Sequence, residues 1–186
     1  MGRGALAGPV TVGVVVLSKN VGQIPHKLSD SKLISKSVRE TLVPQLIEWV
    51  DQYSVGFASP TEIDEVGIIG ALRVAAGRAL NKLTIKPDQL ILDGKHNWLT
   101  NLADPDLSEF NVITKIKADQ SCASVSAASV LAKVERDRLM VSADEDYPGF
   151  GFAKNVGYGS AQHLAAIRKL GPTEFHRRSW NLPVPD

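Results

Sequence analysis

Two aspartates follow apolar segments whose composition is typical of buried strands. Asp93 comes after Leu-Ile-Leu, and Asp119 ends the segment Lys-Ile-Lys-Ala-Asp. Carboxylates at strand ends are held rigidly at a cleft, and they are the ligands that Mg²⁺ and Mn²⁺ prefer. Two such ions can stabilise the attacking and leaving oxygens of a phosphodiester. Each aspartate could instead simply open a turn, as Asp-Gly pairs often do, so the spacing alone leaves both interpretations open.

Two glycine-containing segments could contact a nucleic acid. Gly2-Arg3-Gly4 precedes a predicted strand and could bring backbone N–H groups close to a phosphate or a sugar, although it matches no phosphate-loop pattern. Tyr158 lies between Gly157 and Gly159, where an exposed ring could stack on a base or a sugar. A plain structural anchor for the loop is the default role of this tyrosine.

Basic residues are concentrated towards the end of the chain. Residues 151–186 contain five Lys and Arg against two Asp and Glu, and Lys117, Lys133 and Arg136 precede them. This pattern could form a local phosphate-binding face or an ordinary solvated surface, and the charge alone leaves both open. No histidine has the spacing of a metal ligand, and none is assigned to a metal.

Strands and helices alternate along the chain and must position these residues. Strands are predicted at 10–16, 53–57, 89–92 and 111–116, and helices at 35–49, 60–80, 121–140 and 160–170. Ser59, Pro60 and Glu62 form a capping box at the start of the second helix. Pro44 should kink or divide the first helix. The alternation predicts an α/β layered domain with an at least partly parallel sheet and sites at the strand ends.

The composition fits one globular domain. The chain has 186 residues, of which 44% are hydrophobic and 22% charged, and its net charge of +1 argues against bulk electrostatic attachment to nucleic acid or membrane. Residues 5–17 are apolar but too few to span a bilayer. The single cysteine, Cys122, excludes a disulfide framework and fits a reducing compartment. We therefore expect one domain at 1–186 in the cytoplasm, with no membrane partner.

A series of short segments occurs along nearly the whole chain in a fixed order. They are GRGALAGPV at 2–10, LSDSK at 28–32, EID at 62–64, LDG at 92–94, KAD at 117–119, SAASVLAKV at 126–134 with RD at 136–137, GYGS at 157–160 and HRRSW at 176–180. In these segments and their order the chain resembles the ribonuclease HII family.

This resemblance implies a fold and an activity. The implied fold is RNase H-like, a mixed five-stranded sheet flanked by helices, with a helical C-terminal extension at about 145–186. The implied activity is that of an endoribonuclease that uses Mn²⁺ or Mg²⁺. Its partners would be RNA–DNA hybrids, of which it hydrolyses the RNA strand, and duplex DNA with embedded ribonucleotides, which it nicks to leave a 3′-hydroxyl and a 5′-phosphate. We expect a monomer.

The resemblance also assigns roles to particular residues. Asp93 and Asp119 match two of the family's four metal-binding catalytic acids. Substrate contacts are implied for Gly2, Arg3, Gly4, Lys32, Lys133 and Tyr158. The glycine-arginine-glycine loop contacts the 2′-hydroxyl, the group that locally distinguishes RNA from DNA. The tyrosine packs at the ribose–deoxyribose junction, the second lysine lies near the substrate, and the contact of Lys32 with a phosphate is a hypothesis.

One part of the family pattern is absent from the sequence as it stands. In the family an Asp-Glu pair ends the first strand, one residue before the glycine-arginine-glycine loop, and here that intervening residue is Met1. Asp64-Glu65 lies in a predicted helix and does not replace the pair. With two of four acids and no central strand, we expect weak binding of two metals, little turnover and low stability. A translation start placed too late is our leading explanation, which the upstream DNA would test.

Two functions from other classes compete with this interpretation. A catalytically silent module that binds hybrids would keep the recognition loop, Tyr158 and the basic C-terminal region, and would bind without cleavage in a strongly salt-dependent way. A small-molecule phosphatase on a similar sheet is disfavoured by the Gly-Tyr-Gly loop and the basic C-terminal region.

Overall fold

Four strands form two pairs in the computed structural model, which describes residues 1–100, 107 and 110–184. Strands β1 (Val10–Val16) and β2 (Gln52–Ala58) are antiparallel, with Val10 opposite Ala58. Strands β3 (Leu90–Asp93) and β4 (Val112–Lys115) are parallel, with Leu90 opposite Val112. Within the described ranges no backbone ladder joins the two pairs. The predicted mixture of parallel and antiparallel pairing is confirmed.

Six helices surround the strands in the described part of the chain. They are α1 (Lys36–Trp49), α2 (Pro60–Asn81), α3 (Ala118–Ser121), α4 (Ala123–Asp146), α5 (Phe152–Asn155) and α6 (Ala161–Leu170). Serine side chains cap α1, α2 and α6, because the hydroxyls of Ser35, Ser59 and Ser160 each accept a backbone N–H from the first turn. None of the described helices is long and apolar enough to cross a bilayer.

The pair β1–β2 lies between helices on both faces. On one face Val10 and Ala58 pack against Ile63, Leu72 and Ala75 of α2. The opposite face packs against α1 and α4 in a cluster that contains Leu42, Leu46, Ala127, Val130 and Leu131. Both faces of the first strand pair therefore contribute to the hydrophobic core.

The pair β3–β4 is covered on one face only. Leu90, Leu92 and Val112 pack towards Leu80 of α2 in a cluster that also contains Ala76, Leu99 and Leu107. On the other face Ile91 and Ile113 are 43% and 46% exposed. The second pair is thus less enclosed than the first.

The structure departs in part from three local predictions: helix 60–80 is present but broken at one residue, Pro44 was expected to kink or divide α1 and does not divide it, and Asp119 was expected at a strand end. Gly67 has a φ of 71° and a ψ of 168°, which breaks the helical backbone inside α2 although the apolar spacing continues across it. Pro44 does not divide α1, because buried Leu42 and Leu46 hold both sides of it in the core. Asp119 does not directly follow a strand, since β4 ends at Lys115 and Asp119 lies in α3.

Candidate active site

Asp93 and Asp119 are brought together where β3 ends and α3 begins. Asp93 is the last residue of β3, and its Oδ1 accepts a hydrogen bond from the backbone N–H of Ala118 at 2.9 Å. Asp119 is the next residue and lies in the first turn of α3. Asp93 is exposed, whereas Asp119 is only 6% exposed. The hydrogen bond to Ala118 fixes one carboxylate beside the other.

The electrostatic environment of Asp119 disfavours its charged form. Burial raises the pKa of its carboxyl, and the negative charges of Asp93 and Asp30 raise that pKa further. Lys32 acts in the opposite direction, because its Nζ lies 3.6 Å from Oδ2 of Asp119. The site therefore concentrates negative charge that is only partly balanced by one exposed lysine.

Asp30 is a component of this site that the sequence analysis missed. Its side chain is buried, and Oδ1 accepts the backbone N–H of Lys32 at 3.0 Å. The available signal was its place in Leu-Ser-Asp-Ser-Lys, from which only the lysine was selected. No three Asp, Glu, His or Cys side chains within residues 1–100, 107 and 110–184 are arranged to hold one metal ion together. Asp30 thus acts on Asp119 through its charge.

The donors at this site fit a hard divalent cation. Carboxylate oxygens are the preferred ligands of Mg²⁺ and Mn²⁺. A cation would also relieve the repulsion that raises the pKa of Asp119. Asp93 and Asp119 are the residues that would hold it, as part of a ligand set completed by water and substrate oxygens.

The guanidinium group of Arg177 holds the Gly2–Gly4 loop in place through its backbone carbonyls. This group donates to the carbonyls of Gly2 at 2.7 Å, Arg3 at 3.1 Å and Gly8 at 3.1 Å. Arg177 is fully buried, and burial together with the charge of Arg136 lowers its pKa to about 10. It stays cationic at neutral pH, and its charge lies under the backbone of the loop.

A second buried guanidinium, that of Arg136 on α4, joins the loop to the segment around Tyr158. It donates to the carbonyls of Pro9 at 3.0 Å, Ala7 at 3.2 Å and Val156 at 2.8 Å. Its Cζ also lies 5.7 Å from the centre of the Tyr158 ring. Neither buried arginine forms an ion pair with a described residue. Two positive charges without a direct ion-pair partner among the described residues therefore lie behind these two segments, with Asp137 and Asp64 acting on them from a distance.

Glycines permit the close approach of the two segments. Gly2 has a φ of 72°, and a Cβ there would overlap Nε of Arg136. Gly157 has a φ of 84°, and its carbonyl accepts the backbone N–H of Leu6 at 2.7 Å. The side chain of Arg3 is exposed above this arrangement, and the Tyr158 ring is 41% exposed. Of the predicted substrate contacts in these two segments, Arg3, Gly4 and Tyr158 are exposed, whereas Gly2 is buried.

The two predicted lysines differ in their surroundings. The side chain of Lys32 is 69% exposed beside Asp119. Lys133 on α4 is mostly buried, and its Nζ donates to Asp137 at 2.7 Å. Asp64 of α2, by contrast, accepts the backbone N–H groups of Arg178 and Ser179 and so anchors the C-terminal segment.

Comparisons with known proteins agree on one family. A family model described as Ribonuclease HII matches residues 1–182. The chain is 48% identical to Ribonuclease HII of Streptomyces avermitilis over 180 residues, which covers 97% of this chain and 73% of that protein. It is 41% identical to Ribonuclease HII of Thermus thermophilus over 177 residues, which covers 95% and 81% respectively.

Solved structures show the same fold. The crystal structure of ribonuclease H2 from Pyrococcus horikoshii OT3 has a TM-score of 0.80 and 31% identity, and the match covers 98% of this chain and 92% of that one. Bst-RNase HIII in complex with Mn²⁺ has a TM-score of 0.75, with 98% of this chain and 65% of that one covered. At 18% identity the second likeness bears on the fold alone.

Proposed function

Because this chain belongs to the ribonuclease HII family, and is therefore an endoribonuclease of RNA–DNA hybrids that uses a divalent metal ion, we propose that Asp93 and Asp119 hold that metal at the scissile phosphate. The observation that carries the proposal is the hydrogen bond from Ala118 to Asp93, which fixes this carboxylate beside its partner. The fold is RNase H-like, as expected.

The two carboxylates have different tasks in this proposal. Asp93 and Asp119 would hold a divalent ion, which when bound would supply positive charge to stabilise the phosphate oxygens during cleavage of the phosphodiester. Asp93 is oriented by the Ala118 N–H, so one of its oxygens is already committed to a hydrogen bond. Asp119 must be ionised to bind a cation, and burial and the neighbouring negative charges raise its pKa, so its contribution to metal binding weakens on acidification at a higher pH than that of an ordinary aspartate. Lys32 is placed to contact a phosphate oxygen beside it.

Substrate recognition depends on the two segments joined by Arg136. The backbone of Gly2, Arg3 and Gly4 contacts the 2′-hydroxyl, and Tyr158 packs on the sugar that follows it. The buried charges of Arg136 and Arg177 attract the phosphates of the strand towards these groups. Lys133 supports this side of the site from α4, held by Asp137.

The finer features of the function belong to the same proposal. The substrates include duplex DNA with a single embedded ribonucleotide, because the recognition groups need only one 2′-hydroxyl. The protein acts as a monomer in the cytoplasm, and residues 1–186 form one domain whose part from about 145 onwards is a helical extension.

The experiment is single-turnover cleavage of a labelled duplex that contains one ribonucleotide, with Mn²⁺ and the protein in excess so that slow cleavage is measurable. We expect metal-dependent cleavage next to the ribonucleotide, reduced about 100-fold or more by Asp93→Asn or Asp119→Asn. Asp88→Asn, at an exposed position just before β3, should cleave like the parent chain. Equal cleavage by all four proteins would contradict the assignment of the metal ligands.

Hybrid binding without cleavage is the second candidate function. Two buried arginines hold the recognition segments in place. The described residues provide only a pair of carboxylates for a metal, with no group of three ligands. The structure thus supports the binding segments more fully than the metal site, which favours this second function. Binding of the same duplex in Ca²⁺, followed by fluorescence anisotropy over a range of salt concentrations, distinguishes the two. Tight, salt-sensitive binding with no cleavage in Mn²⁺ would establish the second function instead.

A further inference from the structure

His163 and His176 lie against each other in the hydrophobic cluster behind Tyr158. Both side chains are buried, at 0% and 1% exposure, and their Nε2 atoms are 3.1 Å apart. Aromatic rings enclose them, with the Phe150 ring 4.7 Å from that of His176 and the Phe152 ring 5.4 Å from that of His163. At this distance one Nε2 donates to the other, so only one of the two facing nitrogens carries a proton.

The hydrogen bonds around the pair define that order. The backbone N–H of Thr173 donates to Nδ1 of His176 at 3.0 Å, so the proton of neutral His176 must be on Nε2. That proton is donated to Nε2 of His163, whose own proton is then on Nδ1. Nδ1 lies 2.8 Å from the carbonyl oxygen of Tyr158. The result is a one-way chain of hydrogen bonds from Thr173 to Tyr158.

We propose that His163 and His176 are positioning residues for Tyr158, and that the neutral pair holds its loop in the form that recognises the ribonucleotide. This rests on the proposed contact of Tyr158 with the sugar. A proton added to Nε2 of His163 would face the Nε2–H of His176, and one added to Nδ1 of His176 would face the Thr173 N–H, with Thr173 Oγ1 as an alternative acceptor at 2.9 Å. Protonation of His163 therefore breaks the hydrogen bond that joins the two imidazoles, whereas its Nδ1–H still donates to the Tyr158 carbonyl.

The surroundings of the pair favour its neutral form. Burial lowers the pKa of both imidazoles, and for His176 the charges of His163 and Arg178 contribute to a value of about 4. Arg178 is the charged residue of the C-terminal segment whose positive charge lowers the pKa of His176. Just after α4, the Tyr147 ring stacks on Phe175, and its hydroxyl donates to the Glu174 carboxylate. The charge of Glu174 is therefore paired with Tyr147 at the edge of the aromatic cluster.

The N-terminal segment that packs on the pair links it to the other recognition loop. His176 forms a β-bridge with Ala7, and the backbone N–H of Arg177 donates to the carbonyl of Leu6 at 2.9 Å. The guanidinium of Arg177 points away from the imidazoles, towards Gly2 and Gly8. The histidine pair therefore contacts both the Tyr158 loop and the N-terminal segment.

The proton order is tested by long-range ¹H–¹⁵N correlation of the imidazoles in the full ¹⁵N-labelled chain, from about pH 8 down to about pH 5. We expect His163 to carry its proton on Nδ1 and His176 on Nε2, with neither becoming charged in that range. His163→Asn and His176→Asn assign the signals. A charged imidazole at neutral pH, or protons on both Nε2 atoms, would overturn the proposal whatever the protein binds.

The effect on recognition is tested by anisotropy in Ca²⁺ with two duplexes that differ by one ribonucleotide. His163→Asn keeps an N–H donor near the Nδ1 position but cannot titrate, whereas His163→Leu removes the donor. We expect His163→Leu to lose about tenfold of the ribonucleotide preference at neutral pH, since each lost hydrogen bond to a positioned group has that order of effect, and His163→Asn to retain it. The exposed His26→Asn serves as the control.

The pH profile separates positioning from folding. The parent chain should lose part of its ribonucleotide preference as the pH falls towards about 4, because the hydrogen bond between the imidazoles is lost, while His163→Asn, which lacks that bond, should show a flatter profile. Thermal melts identify any variant that does not fold. Equal loss of preference in folded His163→Asn and His163→Leu would overturn the proposal. If the parent chain shows no ribonucleotide preference at all, the role proposed for Tyr158 fails, and the proton order still decides the histidine chain.

Discussion

Gly2 shows how a single residue determines whether the recognition loop can form. Gly2→Ala would place a Cβ on Arg136 at a φ of 72°, so we expect it to lower the free energy of unfolding by about 2 kcal/mol or more. Gly4→Ala is the matched control, because a Cβ at Gly4 meets no described atom within 4 Å. Urea unfolding of both variants measures the difference. Equal unfolding free energies would show that the loop is not held as described.

The ionised carboxylate of Asp119, a proposed metal ligand, lowers the stability of the folded protein. Its pKa is raised in the folded protein, so its ionisation destabilises the folded state; that penalty grows as the pH rises from the ordinary pKa of aspartate to the raised pKa and is constant above it. Asp119→Asn should therefore melt at a higher temperature than the parent chain at neutral pH without metal. The gain should shrink as the pH falls through the raised pKa and should be lost below the ordinary pKa of aspartate, about 3.9.

Thermal melts in EDTA across this pH range check that prediction, with Asp88→Asn as the control for removal of an exposed charge. A variant less stable than the parent chain at neutral pH would show that the Asp119 carboxylate is satisfied by its surroundings, contrary to the electrostatics described.

The sequence identified the two aspartates but not the residues that support the site. Both aspartates were selected because they follow apolar segments. The selection was useful even though Asp119 lies in a short helix and only Asp93 ends a strand. Arg136 and Arg177 were grouped with a basic surface, yet both are fully buried and bind carbonyls. Charge alone does not reveal burial, because burial depends on contacts between residues more than 120 positions apart.

Gly67 interrupts the helical backbone of α2. Because α2 also contains Gly77, an alanine substitution at each glycine tests the break within one helix. Its backbone angles lie in a region that is open almost only to glycine, so Gly67→Ala should cost about 1 to 3 kcal/mol. Gly77 of the same helix has ordinary helical geometry with no described atom close to its Cβ position, and Gly77→Ala should stabilise by up to about 1 kcal/mol. Opposite shifts in the urea midpoint would agree with the break.

Elements with local signals were predicted well. The capping box of Ser59 and Glu62 is present in both directions, at 3.2 Å and 2.8 Å, and α2 begins where it predicts. β1 spans the predicted residues, and Ser160 and Gly171 bound α6 as expected. The break at Gly67 was missed because the apolar period is the same on both sides of it, and the continuity of α1 through Pro44 depends on packing that the sequence does not show.

On the scale of the whole molecule, the unequal cover of the two strand pairs should be visible in hydrogen exchange. β1–β2 has helices on both faces, whereas β3–β4 exposes Ile91 and Ile113. We expect backbone amides of β3 and β4 to exchange faster than those of β1 and β2, through local opening below the global unfolding free energy. Mass spectrometry of peptides from the exchanged chain measures this, and equal protection in both pairs would contradict it.

The fold class was available from the sequence at two levels. Alternating strands and helices predicted an α/β domain, and the ordered segments predicted the RNase H-like fold that the solved structures match. The way in which distant segments meet was not available. Arg136 on α4 and Arg177 near the C-terminal end both bind carbonyls of residues 2–9, and no local pattern encodes that contact.

The central claim, that Asp93 and Asp119 hold one divalent ion between them, is tested most directly by Mn²⁺ titration of the parent chain, both single Asn variants and the double variant, with Asp88→Asn alongside. Electron paramagnetic resonance of free Mn²⁺ gives each affinity. If the two carboxylates share an ion, each single variant should lose about tenfold or more in affinity, and the double variant little beyond that. Unchanged affinity in either single variant, or losses that simply add, would contradict the account.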